Sequence, residues 1–146
     1  MTRLVLSKII DRHPDLKIIV YRFGGIVPML EGRIGPGWHQ LGAHTSDEDY
    51  VALRKSLKKR PLDYFKQNFY ADTAVFGADA ATVCGLAFYP TEKVLFASDC
   101  PFDPEGGPGY IRETIEIIDA LDIAPADRDK IYCGNLERLT GRTFKH

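Results

Sequence analysis

Residues 93–103 read Lys93-Val94-Leu95-Phe96-Ala97-Ser98-Asp99-Cys100-Pro101-Phe102-Asp103. A short apolar run ends on Asp99, and Cys100-Pro101 then turns the chain away. A run of this length bounded by a turn reads as a buried strand over 93–98. Parallel α/β folds gather their catalytic and metal-binding groups at the C-terminal tips of such strands. Asp99 is therefore the first candidate site residue. Taken alone, it is either a ligand or a carboxylate that caps the Cys100-Pro101 turn.

Working toward the N-terminus, residues 77–88 form a helix of small residues, and 69–73 (Phe-Tyr-Ala-Asp-Thr) a weaker strand. Pro61 opens a short turn. A helix carrying Tyr50, Leu53 and Leu57 closes on Lys58-Lys59-Arg60, with Ser46 as its N-cap and Asp47, Glu48 and Asp49 in its first turn. Residues 38–45 read as loop. The helix before them starts near Pro28, uses Met29, Leu30 and Ile34, and ends at Gly35-Pro36-Gly37. Arg22-Phe23-Gly24-Gly25 is a tight loop after a β-branched strand at 16–20. Residues 3–12 read as one helix with Leu4, Leu6, Ile9 and Ile10 at helical spacing. Toward the C-terminus, an amphipathic helix spans 110–121 and another runs from about Ala126 to Tyr132, with a further turn at 135–139. Strands alternating with helices imply a parallel sheet with right-handed crossovers. Only three strands are visible.

The 146 residues are expected to form one domain, residues 1–146. Lys and Arg number 19 against 20 Asp and Glu, a net charge of −1 that offers no field for nucleic acid or an anionic membrane. No apolar run approaches the roughly 18 residues of a membrane span. The N-terminal residues lack the continuous apolar stretch and cleavage site of a signal peptide. Cys84, Cys100 and Cys133 are odd in number and widely spaced, which favours reduced thiols and a cytoplasmic location.

Five segments in order resemble one known family. Asp11-Arg12-His13-Pro14-Asp15-Leu16-Lys17 resembles a helix-to-strand connection of it, and Gly24-Gly25 with Pro28, Glu31, Gly32 and Arg33 the strand-to-helix segment that follows. Tyr64-Phe65-Lys66-Gln67-Asn68-Phe69-Tyr70 resembles the entry to the next strand, and Phe96 to Phe102 the last strand. Gly134-Asn135-Leu136-Glu137-Arg138-Leu139 resembles the closing helix. The family is the amidohydrolase-related group that includes aminocarboxymuconate-semialdehyde decarboxylase and γ-resorcylate decarboxylase. The resemblance implies an α/β fold with parallel strands and outer helices, like the C-terminal part of a (β/α)8 TIM barrel. At 146 residues the chain falls short of the ~250 of a whole barrel, so the N-terminal barrel strands are expected to be missing.

The resemblance further implies a metal-dependent lyase (decarboxylase) or hydrolase acting on a carboxylate-bearing, aromatic-derived substrate. It makes Asp99 a catalytic ligand of a divalent metal, zinc in the first instance. The family's His-x-His pair is absent, and the histidines are His13, His39, His44 and His146. Near the paired glycines, where the family carries a histidine, this chain has Arg22. A guanidinium cannot ligate a metal or act as a neutral base. Arg22 is either a substrate-carboxylate anchor or a replacement that removed catalysis. Read alone, the chain is expected to hold zinc weakly or not at all, and to lack most catalytic residues. A non-catalytic remnant or fragment acting as a dimerising or binding domain is the alternative. An open part-barrel exposes edges and an interior, so a homo-oligomer is expected, driven by uncovered Ile18, Val20, Val94 and Phe96.

Overall fold

The computed structural model describes residues 1–43 and 49–144. Three parallel strands form one sheet in the order β1-β2-β3, with β1 at Ile18–Val20, β2 at Phe69–Asp72 and β3 at Val94–Leu95. Helices fill the connections, so the α/β architecture with parallel strands and outer helices is what the chain adopts.

The register decides which side chains meet the helices. Ile18, Ile19 and Val20 lie opposite Phe69, Tyr70 and Ala71, and Ala71 and Asp72 lie opposite Val94 and Leu95. Partners in a parallel register share a face, and faces alternate along each strand. One face therefore carries Ile18, Val20, Phe69, Ala71 and Val94, and the other Ile19, Tyr70, Asp72 and Leu95. The first set belongs to the hydrophobic core, together with Phe23, Trp38, Tyr64, Phe65, Phe88, Tyr89, Ile118 and Ile131. This corrects the expectation of an uncovered Ile18, Val20, Val94 and Phe96. Val94 is fully buried, and the other three pack against the core. The residue left half-exposed is Ile19, on the opposite face.

β3 is shorter than expected because a side chain takes over its ladder. Thr73 N–H donates to the Leu95 carbonyl. The Thr73 hydroxyl then donates to the Ala97 carbonyl and accepts from Ala97 N–H, each at 3.0 Å. Residues 96–98 thus stay extended alongside β2 without regular pairing. Two backbone groups at and just after β3 are also bonded on the side away from β2. Phe96 N–H donates to the Ile131 carbonyl at 2.9 Å, and the Val94 carbonyl accepts from Asn135 Nδ2 at 2.8 Å. β1, by contrast, is an edge strand that pairs with no other strand on its outer side among the described residues.

Several helices depart from the sequence reading. The first is broken into α1 (Thr2–Leu6) and α2 (Ile9–Arg12), with Lys8 in the left-handed region at φ 59°. Val5 and Ile10 are both buried. A continuous helix would set them about 140° apart, and the break turns both to the core. Helix α3 (Glu31–His39) runs through Gly35-Pro36-Gly37 instead of ending there. Ile34 and Trp38, one turn apart, both pack on the core, and this contact outweighs the poor helix propensity of the sequence between them. Trp38 and His39 are consequently helical and not loop. In α4 (Tyr50–Lys55) the cap is Asp49, whose Oδ1 accepts from Ala52 N–H; the expected cap Ser46 lies outside the described residues.

Pro61 opens a full helix, α5 (Pro61–Asn68), which buries Tyr64 and Phe65. Next come α6 (Asp79–Phe88) and α7 (Pro108–Ala120). The C-terminal stretch is α8 (Pro125–Asp129), a π-helical turn at Lys130–Gly134, and α9 (Asn135–Thr140). Among the described residues no helix is long and apolar enough to cross a membrane.

Candidate functional site at the C-terminal strand ends

The chain leaves β1 through Tyr21 into a left-handed turn: φ is 55° at Arg22, 51° at Phe23, 74° at Gly24 and 66° at Gly25. Left-handed backbone is costly for residues with a Cβ. Phe23 is held there by burial, because its ring lies against the bare backbone of Gly85 in α6. Gly24 is required on two grounds. Its φ favours glycine, and an added Cβ would lie 2.7 Å from the buried Tyr89 hydroxyl. Burial pushes that phenol well above the usual tyrosine range.

Turn, strand and loop then converge on two carboxylates. Asp72 is the last residue of β2, and its Oδ1 accepts from Arg22 N–H at 2.6 Å and from Ala74 N–H at 3.1 Å. Burial raises the Asp72 pKa above the ordinary aspartate value, the two amide donors oppose the rise, and the charge of Asp99 adds to it. Asp99 follows β3, itself left-handed at φ 65°. Its Oδ2 accepts from Arg22 Nη2 at 2.8 Å, and the two side chains are 32% and 47% exposed. Arg22 and Asp99 therefore share one cleft at the C-terminal ends of the strands. The guanidinium carbon lies 5.3 Å from the Phe76 ring centroid and 5.8 Å from that of Tyr21. Phe76 stacks in turn on Tyr110, with centroids 4.1 Å apart. The arrangement is a half-solvated cation flanked by aromatic faces. A cavity of about 220 Å³ lined by Met1, Val20, Tyr21, Gly24 and Gly25 adjoins it. A larger groove, about 650 Å³ along Lys130–Gly134, shares no lining residue with this cavity.

The other acidic side chains of this loop and the histidines lie elsewhere. Asp103 is buried. Its carboxylate accepts from Glu105 and Tyr110 N–H at the start of α7. Desolvation works against ionisation of this group, but backbone donors including Gly107, Tyr110, Glu105 and Gly109 hold its pKa below the ordinary value. Glu105 pairs with Arg112 at 2.8 Å. His13 is exposed beyond α2, and His39 ends α3 with its carbonyl accepting from Arg54. His44 and His146 lie outside the described residues.

Asp72, Phe76 and Tyr110 were not picked out from the sequence. Asp72 follows the same pattern as Asp99, a carboxylate closing an apolar run, and that signal was readable. Phe76 and Tyr110 meet across 34 residues, which no local pattern reports.

These residues do not on their own fit a divalent metal. Among the described residues no cluster of three or more His, Cys, Asp or Glu side chains is gathered to hold one. Asp99 is engaged by a guanidinium, and Asp72 by amide N–H groups. A further cation beside Arg22 would meet a like charge at close range.

Residues 1–142 match the family model described as Amidohydrolase. Gamma-resorcylate decarboxylase of Rhodococcus jostii RHA1 is 30% identical over 137 residues, covering 94% of this chain and 37% of that protein. A 2-keto-4-carboxy-3-hexenedioate hydratase of Sphingobium sp. SYK-6 is 27% identical over 146 residues, covering 96% of this chain and 38% of that protein. Among solved structures, 2,6-dihydroxybenzoate decarboxylase from Rhizobium superposes with a TM-score of 0.72 at 28% identity, covering 96% of this chain and 39% of the other. The dihydroxybenzoic acid decarboxylase of Polaromonas sp. JS666, solved with manganese and the inhibitor 2-nitroresorcinol, gives 0.71 at 27%, covering 97% and 39%. The chain thus spans a little over a third of the length of these relatives, and its three strands correspond to part of their barrel. On the match over residues 1–142, the chain belongs to the amidohydrolase family.

Proposed function

We propose that this chain carries the carboxylate-recognition part of a decarboxylase-type amidohydrolase site, and that its ligand is an aromatic carboxylate. The observation that supports this is the Arg22 guanidinium, tethered to Asp99 by one Nη and flanked by Tyr21 and Phe76. A planar guanidinium with one edge anchored keeps its other N–H groups for a carboxylate. The aromatic faces suit a planar ring beside that anion. The catalytic and metal-ligand role of Asp99 belongs to the same proposal.

The electrostatics separate binding from chemistry. In decarboxylation the negative charge leaves the carboxylate and moves into the ring. A guanidinium gripping the carboxylate stabilises the ground state more than the transition state, and interactions of that kind do not accelerate the step. Arg22 is therefore assigned to recognition. Turnover would need groups from outside these residues, including the remaining ligands of any divalent metal, whether zinc or the manganese of the Polaromonas relative. A cytoplasmic location and a homo-oligomer accompany this reading.

The test is calorimetric titration of the chain with 2,6-dihydroxybenzoate in the presence of EDTA, with product formation followed in the same sample. Binding without turnover is expected. A charge-assisted hydrogen bond contributes about 1.5–3 kcal/mol, so Arg22→Ala should weaken binding at least about tenfold. Undiminished binding by Arg22→Ala refutes the assignment. Release of resorcinol under EDTA would refute the separation of binding from turnover.

A further inference from the structure

We infer that Asp72 is the positioning residue of this site: by accepting the Arg22 backbone N–H, its carboxylate fixes the left-handed turn that carries the guanidinium to Asp99. The inference rests on the reading of Arg22 as the carboxylate grip. Three observations carry it. The contact is short, 2.6 Å, and links the tip of β2 to a residue 50 positions earlier, at the exit of β1. The same oxygen accepts from Ala74 N–H at 3.1 Å, so the carboxylate is itself tied to the loop that leads to Phe76. One atom thereby sets both the arginine and the aromatic face beside it.

The second observation is conformational. Arg22 sits at φ 55°, which an L-residue adopts only when its surroundings impose it. On its C-terminal side the turn is closed by Gly24 N–H to the Tyr21 carbonyl and Gly25 N–H to the Arg22 carbonyl. At Arg22 itself the backbone N–H donates to Asp72. Rotation of Arg22 back to a negative φ would swing its Cβ, and with it the guanidinium, off the line to Asp99.

The third observation is location. Asp72 lies on the sheet face that carries Ile19, Tyr70 and Leu95 and not on the face that belongs to the hydrophobic core cluster. A half-buried carboxylate beside apolar neighbours is a poor choice for stability alone. A residue placed to orient another accounts for it.

The experiment compares the chain with Asp72→Ala and Asp72→Asn. Two-dimensional 1H–15N NMR follows the Arg22 backbone amide and its Nε–H, and calorimetry follows 2,6-dihydroxybenzoate. In Asp72→Ala the Arg22 amide should lose its downfield, hydrogen-bonded shift and its exchange protection. The Nε–H signal should move as the pair with Asp99 loosens, and affinity should fall about tenfold. Asp72→Asn keeps an oxygen acceptor and should restore the amide shift and part of the affinity. Unchanged Arg22 signals in a folded Asp72→Ala chain overturn the inference. So does loss of affinity in both variants that merely tracks a general loss of dispersed signals, which would make Asp72 a structural residue only. If the parent chain does not bind the benzoate at all, the proposed function falls, while the Arg22 signals still decide the role of Asp72.

Discussion

Replacing Gly85 by alanine should destabilise the protein and disturb the candidate site from behind. A Cβ at this position would stand 2.3 Å from Cγ and Cδ1 of Phe23 and 2.8 Å from Cδ2. Carbon atoms in good contact lie about 3.5–4.0 Å apart, so the overlap exceeds an ångström on most of one ring edge. The ring cannot withdraw within the core, because Phe23 is only 2% exposed and packed among buried neighbours. Overpacking of this kind costs about 1–3 kcal/mol, and expelling the ring instead forfeits about 1.5–3 kcal/mol of burial. Alanine gains back about 1 kcal/mol over glycine in a helix. With an overlap this deep the cost lies in the upper part of that range, about 2–3 kcal/mol, and the net expectation is a loss of roughly 1–2 kcal/mol. Trp38, the single tryptophan, is buried in the same core and reports the transition by fluorescence in urea. The Arg22 amide should shift as well, since Phe23 is its neighbour in the turn. Adding Phe23→Leu should recover part of the stability. An alanine variant as stable as the parent, or one the second substitution does not relieve, would refute this account of the turn.

Asn135→Leu should lower stability by about 1–3 kcal/mol or more in urea unfolding, since the buried Val94 carbonyl and the part-buried Thr91 carbonyl lose their donor and a buried unpaired group costs about 1–3 kcal/mol. Asp103 should matter on the acid side. Its folded pKa is depressed, so its contribution is complete above the ordinary aspartate range and is lost as pH falls through the lower folded value. Asp103→Asn should flatten the acid limb of Tm against pH. Tyr132 is pushed up to about 12, by burial first and by Asp119 second. The unfolded chain therefore ionises first, and stability should fall between about pH 10 and 12, a fall that Tyr132→Phe removes. Sedimentation equilibrium should show self-association that weakens in Ile19→Lys, because Ile19 lies half-exposed on the open edge strand beside exposed Leu16 and Tyr21. A monomer at every concentration would count against it.

The layered fold was legible because its signals are local. The β-branched run at 18–20 and the apolar run ending at Asp99 each announce a strand from a few neighbouring residues. The elements misread were those settled by distant contacts. Nothing between Gly35 and Gly37 says that Trp38 will find a core and carry the helix across Pro36. Likewise the two-residue length of β3 depends on a hydroxyl from Thr73, 24 positions before Ala97. The cleft was legible in the same uneven way. Arg22 and Asp99 stood out by their places after strands, and Asp72 obeyed the same rule within a weaker strand. The aromatic flanks, Phe76 and Tyr110, are visible only once the chain has folded.

The two margins of the sheet differ, and this bears on what larger assemblies the chain can form. At β3 the Phe96 amide and the Val94 carbonyl are already engaged by Ile131 and Asn135. A strand added at these two groups would have to displace the Ile131 and Asn135 contacts. Growth by one margin onto the other, copy after copy, is the route to fibres, because a heterologous contact need not close. Here that route lacks its second half. Strand addition through β1 is the remaining possibility, and two copies joined there about a two-fold axis would consume that margin of both. For this chain on its own, a capped β3 margin would limit strand addition to one partner per copy.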